Sequence, residues 1–288
     1  MATISASAVK DLRDKTGVGM MEAKKALEES DGDVEKAVDI LRKKGLAAAA
    51  KKAGRIAAEG IIASSLSGKA GVIIEVNSET DFVAKNEEFQ LFAKGLADLV
   101  REKKPASIET LSELLFGNET VEAKRQVLVQ KIGENLSIRR FERYETDGNI
   151  ALYVHGTRIG VMVDFSGGDD QLGKDIAMHI AAANPLYLSR KTVPADTIER
   201  ERAIYEAQAK ETGKPVAVIA KIVDGKMEKF YGDTCLLEQI YIKDPDGKLK
   251  VKDVVNNAEI RKFVRYQLGE GIEKKKECFA EEVAAQLK

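Results

Sequence analysis

Gly71-Val-Ile-Ile-Glu-Val76 and Gly160-Val-Met-Val-Asp-Phe165 carry one pattern twice: a glycine, three apolar residues, an acid and a further apolar residue. A short apolar run of this kind reads as a buried strand. A segment of helical period follows each. Ile176-Ala-Met-His-Ile-Ala181 parallels Phe92-Ala-Lys-Gly-Leu-Ala97. The strands are offset by 89 residues and the helix segments by 84, so the first copy has about five more residues between strand and helix. The pattern predicts two related α+β subdomains, one with an extended connection. That connection contains Thr80-Asp81-Phe82-Val83. A carboxylate and a large aromatic thus fall on a strand-to-helix loop, where scaffolds present functional groups.

Working outward, Gly60–Val76 reads as a β-hairpin turning at Ser67-Gly68-Lys69. Phe89, Phe92, Ala93, Leu96, Leu99 and Val100 form a helical stripe that Pro105 closes. Residues 107–135 read as helical with a break at Gly117-Asn118. Ser137–Thr146 and Asn149–His155 read as strands joined in a hairpin at Asp147-Gly148. Residues 235–253 are expected to hold short strands around Asp244-Pro245-Asp246-Gly247.

Toward the N-terminus, residues 4–57 form a helical module. Ser5 or Ser7 can cap a first helix that stops at Thr16-Gly17-Val18-Gly19. A second runs from Met20 to Glu29. Asp33 caps a third, which carries Val34, Ala37, Val38 and Leu41 at helical spacing and is expected to end at Gly45. Toward the C-terminus, Pro194–Glu211 and Lys214–Tyr231 read as two charged helices with a thin apolar stripe, a protruding hairpin suited to pairing with a second chain. A last helix is expected over Gly271–Leu287. The expected layout is therefore residues 1–57, a three-helix domain and linker; 58–146, a first core subdomain; 147–193 with 232–268, a second; 194–231, the helical hairpin; and 269–288, a C-terminal helical module.

Composition excludes several function classes. The 288 residues are 32% charged and 44% hydrophobic with a net charge of −1, so no bulk field draws the chain to nucleic acid or membrane. The two cysteines, Cys235 and Cys278, form no Cys-x-x-Cys and fit a reducing compartment. No signal or transit pattern opens the chain, and no apolar run approaches the roughly 18 residues of a membrane span. The expectation is a cytoplasmic protein. His155 and His179 lack a third ligand at metal-binding spacing, so a structural role is favoured for each and no metal is expected. There is no phosphate-binding Gly-x-x-x-x-Gly-Lys-Ser/Thr loop, and Gly269-Glu270-Gly271 lacks the setting of a dinucleotide site. No nucleophile elbow occurs, and no pair of carboxylates stands out. No cofactor is expected. Arg42–Arg55 holds six basic residues and no acidic one, but no aromatic is interleaved for base stacking. A solvated helix face is the favoured reading of it, and no direct nucleic-acid binding is expected.

Two stretches remain as binding features. Gly19-Met20-Met21 places two adaptable side chains at a helix start, although either methionine could instead fill the small bundle's core. Asp81-Phe82 could meet a partner. Equally, Ser78-x-x-Asp81 fits a capping-box-like pattern that would turn Phe82 inward, and the residues leave both readings open.

Taken together, Thr16-Gly-Val-Gly-Met-Met-Glu-Ala-Lys-Lys-Ala-Leu27, Gly32-Asp-Val-Glu-Lys-Ala-Val38, Asn77-Ser-Glu-Thr-Asp-Phe-Val-Ala-Lys85 and Gly269-Glu-Gly-Ile-Glu-Lys274 resemble bacterial translation elongation factor Ts over nearly the whole chain. The resemblance implies an N-terminal domain of the ubiquitin-associated type, a two-subdomain core, a dimerising helical hairpin and a C-terminal module. It implies guanine-nucleotide exchange on elongation factor Tu, a GTPase. It also implies that Thr80, Asp81, Phe82 and Val83 reach the partner near its magnesium site. Arg13, Met20 and Met21 would form an N-terminal contact, and His155-Gly156 would lie in the segment that reaches another partner domain. Two other classes stay in view: an adaptor that binds a ubiquitin-like or ribosomal surface without exchange, and a hydrolase that no motif supports.

Overall fold

The computed structural model describes residues 4–16 and 18–273, so the C-terminal helix expected over 271–287 lies outside the described residues from 274 onward. Helices α1 (Ala6–Thr16), α2 (Met20–Glu29) and α3 (Val34–Lys52) open the chain. Ser5 Oγ accepts the Ala8 N–H at 3.1 Å, and the Asp33 carboxylate accepts the Lys36 N–H at 3.1 Å, so both helix starts have side-chain caps. Val9, Leu12, Ala23, Leu27, Ala37 and Leu41 form the bundle's own core. The expected stop at Gly45 is overturned, since α3 runs on to Lys52. One glycine costs about 1 kcal/mol inside a helix, and the Leu46–Ala50 run of strong helix formers carries the helix past it.

The first half of the core contains β1 (Glu59–Ser67), β2 (Ala70–Ser78), α4 (Asp81–Ala84), α5 (Glu87–Lys103), α6 (Ile108–Glu113), β3 (Leu115–Phe116), β4 (Glu119–Thr120), α7 (Val121–Ile132) and β5 (Ser137–Glu145). One sheet has the order β1-β2-β5, and β3-β4 is a separate short ladder. Gly68, at φ 56°, makes the expected hairpin turn. The Thr80–Val83 loop is corrected in one respect: Asp81–Ala84 form a single helical turn.

The second half contains β6 (Asn149–His155), β7 (Ile159–Ser166), α8 (Asp170–Ala183), α9 (Ala195–Lys210), α10 (Val216–Thr234), α11 (Val251–Val255) and β8 (Glu259–Gln267). Its sheet has the order β6-β7-β8, with β6 and β7 antiparallel from Asn149↔Phe165 to His155↔Ile159. Strand β8 escaped the sequence reading. The hairpin expected at Asp147-Gly148 is also overturned, because β5 and β6 belong to different sheets. Neither residue adopts the positive φ of a two-residue hairpin turn. Gly148 serves a close approach instead, since a Cβ there would lie 2.5 Å from the Phe165 carbonyl oxygen. The strands expected within 235–253 reduce to two isolated bridges, Tyr187↔Cys235 and Ile240↔Lys250, before α11. Asp244 holds that loop by accepting from the Lys248 and Leu249 N–H groups at 2.6 and 2.7 Å.

Both halves place the patterned strand, β2 or β7, at the centre of a three-stranded sheet and follow it with a helix. The connection is residues 79–86 in the first and 167–169 in the second, longer by five residues as the offsets predict. By contacts the chain divides into two compact units. Among the described residues, one comprises those up to Ser65, Ile74–Phe141 and 267–273; the other comprises Leu66–Ile73 and Glu142–Tyr266. In the second unit Val161, Val163 and Phe165 pack with Ile176, Ile180, Val251 and Ile260. Helices α9 and α10 share a small cluster around Ala209, Val223 and Met227.

Two buried polar groups lock these units internally. In the first, Glu75 of β2 has no exposed surface and accepts from Arg139 at 2.8 Å, Arg140 at 2.6 Å and the Gly269 N–H at 2.8 Å. Burial alone would push its carboxyl up. The Gly269 N–H and the two guanidinium groups overcome that and hold it below the ordinary range. In the second, His179 is fully buried. Its Nδ1 accepts the Ile242 N–H at 3.2 Å, and its Nε2 lies 3.0 Å from Gln239 Oε1. Gln239 Nε2 donates to the Asp233 and Ala183 carbonyls, which leaves Oε1 as acceptor and His179 as a neutral ring protonated at Nε2.

Two outcomes follow from these locks. Gly269 sits at φ 71° with the Ala58 carbonyl oxygen 2.3 Å from where a Cβ would stand, so Gly269→Ala should lower unfolding free energy by about 1–3 kcal/mol in urea titration. Burial depresses the His179 pKa below the ordinary 6.5, against a smaller upward effect of Gln239. The unfolded chain then takes up a proton that the folded chain refuses. Stability is fully present above pH 6.5 and falls as pH drops toward the folded value, by at most ~1.4 kcal/mol per pH unit. Relative to His179→Gln, the wild-type protein should therefore lose stability between pH 7.5 and 5.5; a constant difference would contradict the assignment.

Candidate functional site

The site grows from the end of β2. Ser78 is buried, and its Oγ donates to the Thr80 carbonyl at 2.9 Å. Glu79 accepts the Asn135 N–H at 2.6 Å and has Arg55 at 3.5 Å. The Thr80 N–H and hydroxyl both donate to the Glu134 carboxylate, at 2.9 and 2.6 Å. Val83 and Ala84 are buried, while Asp81 and Phe82 are exposed. The α4 turn closes through the Lys85 and Asn86 N–H groups, which donate to the Phe82 and Val83 carbonyls at 3.1 and 2.9 Å. Asn86 then caps α5 by accepting the Phe89 N–H at 3.1 Å.

Phe82 is 77% exposed. The inward, capping-box alternative fails, because Ser78 spends its hydroxyl on the Thr80 carbonyl and the inward position belongs to Val83. Lys85 lies 3.1 Å from Asp81 and 5.6 Å from the centre of the Phe82 ring. An exposed pair of this kind contributes little to stability. Among the described residues no group of three or more His, Cys, Asp or Glu is placed to hold a metal ion.

In the helical bundle, Met20 and Met21 are 57% and 64% exposed, and Val18, Ala23 and Leu27 fill the interior instead. The core-filling alternative therefore fails for both methionines. Arg13 on α1 is half-buried and pairs with Asp14 at 2.8 Å. Of the basic run, Arg42, Lys43 and Lys44 are exposed on α3, and Lys44 is paired with Glu29. His155 and Gly156 belong to the second unit, at the end of β6 and in the turn after it. His155 is exposed, its Nδ1 is 2.9 Å from the Tyr153 hydroxyl, and Gly156 takes φ 59°. The structure thus gathers Thr80–Val83 into one anchored turn and sets the other expected contacts on separate elements. Sequence reasoning missed Glu134 and Asn135. The only local signal near them is Gly133, a left-handed C-cap that turns the chain after α7.

No helix among the described residues is long and apolar enough to cross a membrane. A family model described as Elongation factor TS matches residues 79–270. Three similar proteins bear the name Elongation factor Ts. That of Alkalilimnicola ehrlichii is 52% identical over 288 residues, covering 99% of this chain and 99% of its own. That of Burkholderia multivorans is 50% identical over 287 residues, covering 100% and 98%. That of Legionella pneumophila is 52% identical over 291 residues, covering all of both. The matched span opens at Glu79, at the foot of the anchored turn, and with such similarity from end to end the chain belongs to the elongation factor Ts family.

Proposed function

We propose that this protein is a guanine-nucleotide exchange factor for elongation factor Tu, acting in translation elongation by binding and with no bond-making group of its own. The observation that carries the reading is Phe82: an aromatic held out on an anchored turn, inside the span that matches the family. Aromatic anchors that need little ordering on contact supply much of the energy at interfaces.

A GTPase holds GDP because phosphate contacts, Mg²⁺ and ordered switch segments support one another. A factor that binds the nucleotide-free or Mg²⁺-free form better than the GDP form weakens GDP by the same factor. Phe82 acts as a wedge that fits only the rearranged partner. Asp81 brings negative charge and accepting capacity to the shell of the departing metal. Arg13, Met20 and Met21 form a second contact, and His155 with Gly156 a third. Each 1.4 kcal/mol of differential binding is about tenfold in the affinity ratio, so several contacts are needed for a large effect. Once GDP leaves, the open site takes GTP.

The test is release of fluorescent GDP from elongation factor Tu at fixed Mg²⁺. Wild-type protein should accelerate it strongly. Phe82→Ala should lower the acceleration at least about tenfold. Met20→Ala with Met21→Ala should raise the factor concentration needed for half-maximal effect. Tight binding of the partner with no acceleration would replace this reading with that of an adaptor.

A further inference from the structure

Asp81–Ala84 is a helix of four residues, too short to hold itself together in water. Something outside it must fix where Phe82 stands. Thr80 occupies its N-cap position, and a threonine there ordinarily turns its hydroxyl back to the following N–H groups. Here it does not. The Thr80 side chain makes no capping bond, and its Oγ donates to Glu134 at 2.6 Å. The Thr80 N–H donates to the other oxygen of the same carboxylate at 2.9 Å. The neighbouring residues repeat the arrangement in reverse, with the Asn135 N–H donating to Glu79 at 2.6 Å. The Asn135 side chain is buried and donates to the Arg55 carbonyl at 2.9 Å. Two adjacent pairs, Glu79-Thr80 and Glu134-Asn135, thus clasp each other through carboxylates on both sides. Bonds of this charge-assisted kind are the strong ones, and a carboxylate that takes two donors from one residue also fixes its orientation.

We infer that Glu134 is a positioning residue of the exchange site. With Thr80 it forms a clasp that sets the direction of Phe82 before any partner arrives. The inference rests on the function proposed above for the activity it predicts, but the clasp itself can be observed without the partner. It also divides the Thr80–Val83 motif. Asp81 and Phe82 face outward as contacts, whereas Thr80 is spent on Glu134 and Val83, 7% exposed, anchors the turn beneath. A pre-set aromatic gives up little freedom on binding, so the clasp bears on how well the partner's rearranged form is held.

The test uses the full-length chain carrying Glu134→Ala, Thr80→Val, Thr80→Ser, Phe82→Ala, and Glu134→Ala with Phe82→Ala. Stimulated GDP release is measured against factor concentration, and amide hydrogen exchange over residues 79–86 is measured without partner. Glu134→Ala and Thr80→Val should each slow stimulated release about tenfold, while Thr80→Ser keeps it. Glu134→Ala should add little to Phe82→Ala, because it acts through that ring. Exchange over 79–86 should rise in Glu134→Ala while exchange in α9 and α10 stays as in wild type. Wild-type stimulation in Glu134→Ala, or full additivity with Phe82→Ala, would overturn the inference. Should wild type itself fail to accelerate release, the functional reading falls and amide exchange alone decides. Unchanged protection of 79–86 in Glu134→Ala then overturns the clasp, and lost protection upholds it.

Discussion

The Glu75 carboxylate gathers parts of the chain that lie far apart in sequence. It stands on β2 with no exposed surface and receives Arg139 and Arg140 from β5, the Gly269 N–H from the turn after β8 and, at 3.2 Å, Asn77 Nδ2. Arg140 reaches on to the Gln267 carbonyl at 3.1 Å, and Arg139 to that of Glu270. An ionised carboxylate without partners would be intolerable in this position. With four donors it becomes the reason that β5 lies where it does and that the chain returns to this unit at Gln267. Gly269 can come this close because it has no Cβ to strike the Ala58 carbonyl. The acid that recurs in the second copy, Asp164, is also buried and accepts the Thr146 hydroxyl at 2.8 Å, so the repeated pattern places a paired acid inside both central strands.

The turn proposed above as the exchange site is tied to this frame. Four residues beyond Glu75 the chain leaves β2 at Glu79, and the same loop that leads into β5 supplies Glu134 and Asn135. A wedge is effective only if it does not yield, since binding energy spent on ordering the wedge is lost to the partner's rearrangement. In the proposed reading, the hydrogen bonds of Thr80 to Glu134 and of Asn135 to Glu79 meet this need in place of a longer helix. The methionines of the bundle follow the opposite logic. Met20 and Met21 are exposed, flexible and polarisable, and in the proposed contact they would suit a surface that follows its partner.

Where the sequence was legible, the reason is short range. The caps at Ser5 and Asp33, the turn at Gly68 and the stripe on α5 each depend on residues within a few positions of one another. Where it misled, either a distant contact or a neighbouring run prevailed. Asp147-Gly148 has the composition of a hairpin turn, yet the strands beside it join different sheets and Gly148 is needed for its approach to Phe165. Gly45 has the composition of a helix stop, yet the run after it is too strongly helical. Strand β8 has an irregular pattern because Arg261 and Lys262 are exposed while Ile260 and Tyr266 are buried, with half-buried residues between them.

By itself the sequence determined the principal helices, the two central strands with the helix that follows each, and the extra five residues that carry Thr80–Val83. It did so because hydrophobic period and turn chemistry act locally. Only the tertiary structure decided whether Phe82 faces water or the core. The alternatives differ by where one hydroxyl and one N–H find their acceptor, and that acceptor, Glu134, stands 54 residues away. No local pattern encodes such a partner; it exists only once β2 and the loop into β5 have been brought together.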